Sequence, residues 1–223
     1  MLLVRDSMVR DVVTVSPGTT AAEALGLCRE RRIRHLPVME GGKMVGLISD
    51  RDLRLATPAL GDANRAAALE KIRVGDEMSR EVTTADPEDP IEQAAMVMHE
   101  KKIGCLPVIE GDELVGILTS SDVMAALVNL VGAHQPGSRL EVAIPNRPGS
   151  LAEVVGIVRD KGVNIVSVLS APAEDVGDDG SSRSVAVLRL ATINPAAVVE
   201  GLEQAGFPVL WPPSPTGGPE RAL

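Results

Sequence analysis

Tyrosine is absent from this chain, and phenylalanine and tryptophan occur once each, as Phe207 and Trp211. The cores must therefore be aliphatic, and a surface that stacks single-stranded bases on aromatic rings is excluded. Cationic excess is missing too. The 22 Lys and Arg residues stand against 31 Asp and Glu, a formal net charge of -9, which disfavours a nucleic-acid phosphate backbone as partner. Two cysteines, Cys28 and Cys105, are too few for a disulfide framework or a zinc site. No apolar run approaches the ~20 residues of a membrane span. The N-terminal residues reach charge at Arg5, too soon for a secretory signal. A cytoplasmic protein with no nucleic-acid and no membrane partner is expected. His35, His99 and His134 are scattered without metal-ligand spacing. No Ser–His–Asp or Cys–His set can be argued, and no Gly-rich phosphate loop follows a strand. The expectation is a non-enzyme without a metal or catalytic cofactor.

What is present is a repeat. Shifted by 70 residues, Val4, Asp6, Met8, Arg10, Val12, Thr14 and Pro17 fall on Val74, Asp76, Met78, Arg80, Val82, Thr84 and Pro87. Ile33, Leu36, Pro37 and Val38 fall on Ile103, Leu106, Pro107 and Val108. Glu40, Gly41, Val45, Gly46 and Asp52 fall on Glu110, Gly111, Val115, Gly116 and Asp122. With Ala24/Ala94 and Glu30/Glu100 there are about 18 identities in 50 positions, where ordinary composition gives about three to four. Two copies are too few for a solenoid, so the repeat reads as a unit that packs against its own copy about a pseudo-twofold axis. Cys28 aligns with Met98 and reads as a core filler.

Each copy reads β-α-β-β-α. A β-branched run (Val12 to Val15; Val82 to Thr84) ends at a proline. A helix follows, roughly Thr20 to Arg32 and Pro90 to Lys102. Apolar runs around Gly41-Gly42 and Gly111-Asp112 read as hairpins, and short helices start at Asp50 and Ser120. The boundaries are 1–60 for the first copy, 61–73 for a linking helix, and 74–131 for the second. After a linker at 132–138, residues 139–211 read β-α-β-β-α-β, a ferredoxin-like order. Ala173 to Arg183 reads as an acidic Gly/Ser loop. The Pro/Gly-rich residues 212–223 read as a disordered tail.

Each hairpin is followed by Gly-h-h-Ser/Thr-x-x-Asp: Gly46 to Asp52 with Ser49, and Gly116 to Asp122 with Thr119. Two readings fit. A hydroxyl followed three positions later by an acid is a helix capping box. The same geometry offers unpaired N–H groups, a dipole end and a hydroxyl to a phosphate, and a carboxylate to a ribose diol. In the last domain, Asn146-Arg147-Pro148-Gly149-Ser150-Leu151 joins a strand to a helix, and Gly162 to Ile165 closes that helix. Proline in a first turn and glycine at a bend have structural reasons. They leave Asn146 and Asn164 unexplained, two amides expected at adjacent strand ends.

On the Met-x-x-x-Val-x-Thr-x-x-Pro opening, the Leu-Pro-Val strand and the Gly-h-h-Ser/Thr-x-x-Asp motif, residues Val4 to Asn129 resemble a pair of CBS domains, a Bateman module. The resemblance implies binding of AMP, ADP, ATP or a related adenosyl ligand between the copies. Asp52 and Asp122 would then hold ribose. Ser49 and Thr119 would touch phosphate. Thr14, Val15 and Ser16, with Thr84, Ala85 and Asp86, would line the adenine edge, and Pro37, Arg51, Cys105 and Pro107 would complete the nucleotide-binding sites. Arg34, His35 and Arg51 are matched by Gly104, Cys105 and Ser121. The resemblance places residues 34 and 35 near phosphate, so the Asp52 site is expected to favour a phosphorylated nucleotide and the Asp122 site to be weaker.

Residues 139–211 resemble an ACT domain. That implies either dimerisation alone or amino-acid binding between two such domains, by Asn146, Gly149, Leu151, Asn164 and Ile165. Serine-sensing members carry a His where Ile144 stands. The combination resembles the acetoin-utilisation family of bacterial regulators. It implies a homodimeric sensor with an unidentified target protein. The alternatives are a scaffold without ligand and a regulatory subunit acting in trans on a metabolic enzyme.

Overall fold

The computed structural model describes residues 2–57, 64–176 and 182–212. They form two compact units, one ending at Ala126 and one beginning at Leu127. In the first unit the chain runs through α1 (Val4–Ser7), α2 (Ala21–Arg31), the hairpin β1 (His35–Glu40) and β2 (Lys43–Ser49), and α3 (Asp50–Leu55). After α4 (Arg65–Lys71) the series returns as α5 (Val74–Glu77), α6 (Ile91–Lys101), the hairpin β3 (Cys105–Glu110) and β4 (Glu113–Thr119), and α7 (Ser120–Leu130). Residues 61–63, the start of the expected linking helix, lie outside the described residues.

The expected first strand of each copy is reduced to one bridge. Val15 pairs in parallel with Val38, and Ala85 with Val108. Pro17 and Pro87 follow two residues later, and proline has no N–H to extend a ladder. Helices α2 and α6 each bury one stripe, Ala21, Ala24 and Cys28 in one, Ile91, Ala94 and Met98 in the other. Thr20 and Glu23 close a capping box on α2, as a hydroxyl and an acid three positions apart should. Gly41, Gly42 and Gly111 take positive φ at the hairpin turns, a conformation that glycine adopts without steric cost.

The two cores are crossed. Val4 and Met8 pack with Leu106, Val108 and Leu118 of the second hairpin. Val74 and Met78 pack with Leu36, Val38 and Ile48 of the first. Backbone bonds follow the same exchange: Val4 N–H donates to Asp89 O at 2.9 Å, and Val74 N–H to Thr19 O at 2.9 Å. Val9 and Ile117 exchange both backbone bonds, as do Leu47 and Ser79. This crossing explains why the same Met and Gly repeat together. A Cβ on Gly46 would lie 2.6 Å from Met78 Sδ, and one on Gly116 would lie 2.5 Å from Met8 Sδ.

The second unit holds β5 (Ser138–Pro145), α8 (Ser150–Asp160), β6 (Ile165–Val176), β7 (Ser182–Leu190), α9 (Ala196–Gln204) and β8 (Val209–Trp211). The sheet order is β6-β7-β5-β8, antiparallel throughout. Leu140, Val142, Leu188 and Leu190 pack beneath Val154 and Val158 of α8 and Leu202 of α9. Strands β6 and β7 run into both ends of the segment expected as a loop; its centre, 177–181 with Asp178 and Asp179, lies outside the described residues, as does the tail from 213.

Candidate functional site

Two clefts lie in the first unit, related by the repeat. One, about 330 Å³, is lined by Ser49, Arg51 and Asp52 from the first copy and by Thr83, Lys102 and Gly104 from the second, among others. The other, about 250 Å³, is lined by Thr119, Ser121 and Asp122 from the second copy and by Val13, Arg32 and Arg34 from the first. These positions correspond one to one under the 70-residue shift. Each cleft therefore needs both copies.

The Ser/Thr-x-x-Asp motif forms the same knot in both. Asp52 Oδ2 accepts from Ser49 N at 3.1 Å and from Ser49 Oγ at 2.6 Å, while Asp52 N donates to Ser49 Oγ at 3.2 Å. Asp122 Oδ2 accepts from Thr119 N at 2.8 Å and from Thr119 Oγ1 at 2.7 Å. The capping and ligand readings are compatible, because each carboxylate uses Oδ2 for the cap and an ionised carboxylate has further acceptor sites on Oδ1.

The cations are arranged differently from the expectation. Arg34 does not join Arg51 at the Asp52 cleft; it lines the Asp122 cleft. The segment just before a copy's own Leu-Pro strand faces the motif of the other copy. Each cleft therefore holds one of the two arginines on opposite walls, and the premise for a phosphate preference at Asp52 is removed. A second cation stands in each cleft where the sequence reading had none. Arg32 and Lys102 terminate α2 and α6 in the left-handed conformation, at φ 54° and 57°. Glycine is the usual residue there, and a side chain costs about 1–2 kcal/mol. The signal in the sequence was a basic residue at the same helix end in both copies.

Other expected residues fall elsewhere. Thr14, Val15 and Ser16 line a separate open hollow with Gly26 and Met39, whereas Val12, Val13, Val82 and Thr83 line the clefts. Thr84, Ala85 and Asp86 line neither cleft, and Asp86 is engaged in a turn, its Oδ1 accepting from Glu88 N at 2.8 Å. Pro37 and Pro107 are buried on their strands, and their carbonyls accept from Val15 N and Ala85 N. Cys105 is buried at the wall of the Asp52 cleft, where burial pushes its thiol up to about 12 against the opposing pull of Arg34. His35 lines both clefts. Burial, then the charge of Arg34, lowers its proton affinity below the usual histidine value, opposed by Asp50 and Asp52.

In the second unit, Asn146, Gly149 and Leu151 line one hollow of about 560 Å³, with the buried Ser150. Asn164 and Ile165 line another of about 470 Å³. The two amides are not at adjacent strand ends. Ile165 and Ser138 both pair with Leu190, while Pro145 pairs with Arg183 at the far end of β5. Seven residues of strand separate them, roughly 24 Å, because β5 and β6 run parallel with β7 between them.

The CBS domain family matches residues 4–58 and 74–129, and the ACT domain family matches residues 138–207. A CBS domain-containing protein of Bacillus subtilis, YhcV, is 33% identical over 140 residues, covering 63% of this chain and 94% of that protein. The chain belongs to the CBS domain family. It carries tandem CBS domains and a C-terminal ACT domain. The CBS pair is also similar to a Vibrio cholerae protein named for acetoin utilization (AcuB), at 33% identity and a TM-score of 0.52, covering 61% of this chain and 99% of that one. CBSX2, solved in complex with AMP, aligns at 28% identity and a TM-score of 0.51 over 58% of this chain and 99% of its own. Homoserine O-acetyltransferase of Methanohalobium evestigatum is 34% identical over 122 residues, 54% of this chain, but the chain spans only 23% of that enzyme. Among the described residues, no helix is long and apolar enough to cross a membrane, and no group of three or more His, Cys, Asp or Glu is placed to hold a metal ion.

Proposed function

We propose that this protein is a non-catalytic, cytoplasmic sensor of adenine nucleotides and that each CBS cleft takes one nucleotide. The observation that carries the reading is the paired knot. In both clefts an aspartate holds its cap through Oδ2 and keeps Oδ1 for a ribose diol, beside a helix N-terminus and two cations. Asp52 and Asp122 contact ribose, Ser49 and Thr119 contact phosphate, and Arg51 with Lys102, or Arg34 with Arg32, balances its charge. The AMP complex of CBSX2 supports an adenine ligand. A nucleotide that favours one arrangement of the two copies shifts the population toward it.

The ACT domain acts as a dimer clamp in this reading. An amino acid that contacts both Asn146 and Asn164 must lie between two copies, since one copy holds them at opposite ends of its sheet. The similarity to a segment of an acetyltransferase favours a second reading, regulation in trans of a metabolic enzyme. Thermal unfolding with AMP, ADP, ATP, NAD and S-adenosylmethionine tests the first reading. A ligand at 100 times its Kd adds about 2.7 kcal/mol, a midpoint rise of several degrees. No rise with any adenine nucleotide would leave the scaffold reading.

A further inference from the structure

Among the described residues, His35 is the one that lines both clefts. Its ring crosses to the other copy and lies over Gly104. A Cβ on Gly104 would stand 3.1 Å from His35 Cε1 and 3.2 Å from Nε2. Position 104 is the counterpart of Arg34, so the side chain missing from the Asp52 cleft is replaced there by an imidazole from the facing copy. On the other flank, Arg34 lines the Asp122 cleft beside the same ring.

We propose that His35 is a shared ligand contact that couples the clefts, so that a nucleotide phosphate bound beside Arg34 in the Asp122 cleft makes His35 a cationic partner for the phosphate in the Asp52 cleft. This rests on the reading that both clefts take nucleotide. Burial is the first cause that holds the ring neutral, and the charges that face it add to or oppose that. Arg34 on its own segment opposes protonation; Asp50 and Asp52 of α3 favour it. Arg51 of α3, Glu81 and Lys102 at the end of α6 line the same cleft, and Cys105 of β3 stays neutral at physiological pH. A phosphate that neutralises Arg34 removes the main charge opposing an imidazolium. The ring then takes a proton from solvent, and its Cε1–Nε2 edge already lies against Gly104 in the wall of the Asp52 cleft. Linkage makes the effect reciprocal.

Calorimetric titration of the full chain with AMP at pH 6.5 and pH 8.5 is the test. Asp122→Ala reports the Asp52 cleft alone, and Asp52→Ala reports the Asp122 cleft alone. At pH 6.5 the Asp52 cleft of the wild type should bind AMP about fivefold more tightly than that of Asp122→Ala, at the low end of typical couplings. The gain should fall away at pH 8.5, where protonating the ring is far less favourable. It should also vanish in His35→Gln, and shrink in Gly104→Ala, whose methyl displaces the ring. A wild-type isotherm equal to the sum of the single-cleft isotherms at both pH values, or a gain retained in His35→Gln, overturns the coupling while leaving nucleotide binding intact. Absence of AMP binding in the wild type would sink the nucleotide reading itself, and this coupling with it.

Discussion

Val4 is fully buried, yet it lies in the core of the other copy. Val4→Ala removes two methyl groups, about 1.6 kcal/mol at ~0.8 kcal/mol per buried carbon. A residual cavity of about 40 Å³ adds about 1 kcal/mol at ~24 cal/mol per Å³. The total is about 2.5 kcal/mol, readable in urea unfolding as a lower midpoint with an unchanged slope. The location of the loss is the sharper readout. Native-state hydrogen exchange should speed up first at amides of β3 and β4, 101 to 115 residues away in sequence, and only later at β1 and β2. Val74→Ala should do the reverse. Faster exchange confined to β1 and β2 in Val4→Ala would refute the crossed packing.

The other predictions concern glycines and thiols. Gly116→Ala drives a Cβ into Met8 and the Val9 carbonyl and should destabilise by about 1–3 kcal/mol in urea unfolding. Gly26→Ala, inside α2 with open space at its Cβ, should stabilise by up to about 1 kcal/mol in the same assay. Burial raises Cys28 to about 11 and Cys105 to about 12. Iodoacetamide at pH 8 should therefore leave both unmodified in the native protein and label both once unfolded. Because these folded-state values lie above the unfolded one, the stability they contribute is full below about pH 8.5 and declines as pH rises through about 11 and 12.

The repeat, the hairpins, the long helices and the ferredoxin-like order were legible because they are local. Glycine pairs, proline stops and helical spacing of Ala21, Ala24 and Cys28 act within a few residues. The crossing was not legible, although its signature was present. Met8 and Gly116, and Met78 and Gly46, recur together because each pair touches, but contact between residues about 108 or 32 positions apart leaves no periodicity. Arg34 was out of reach for the same kind of reason, since it lines a cleft with the motif of the other copy. Asn146 and Asn164 were misjudged for a related reason. A strand-helix-strand unit returns parallel to its start, so the end of β5 and the start of β6 lie at opposite ends of the sheet. The one-turn helices α1 and α5 were missed because four residues carry no helical period.

The central claim is that two pseudo-symmetric clefts each hold one adenine nucleotide through an aspartate. Calorimetric stoichiometry with AMP tests it most directly. The wild-type chain should bind two AMP, Asp52→Ala and Asp122→Ala one each, and the double variant none. An unfolding transition retained in every variant would show that the fold survives. No binding by the wild type, or two AMP still bound by the double variant, would contradict the claim.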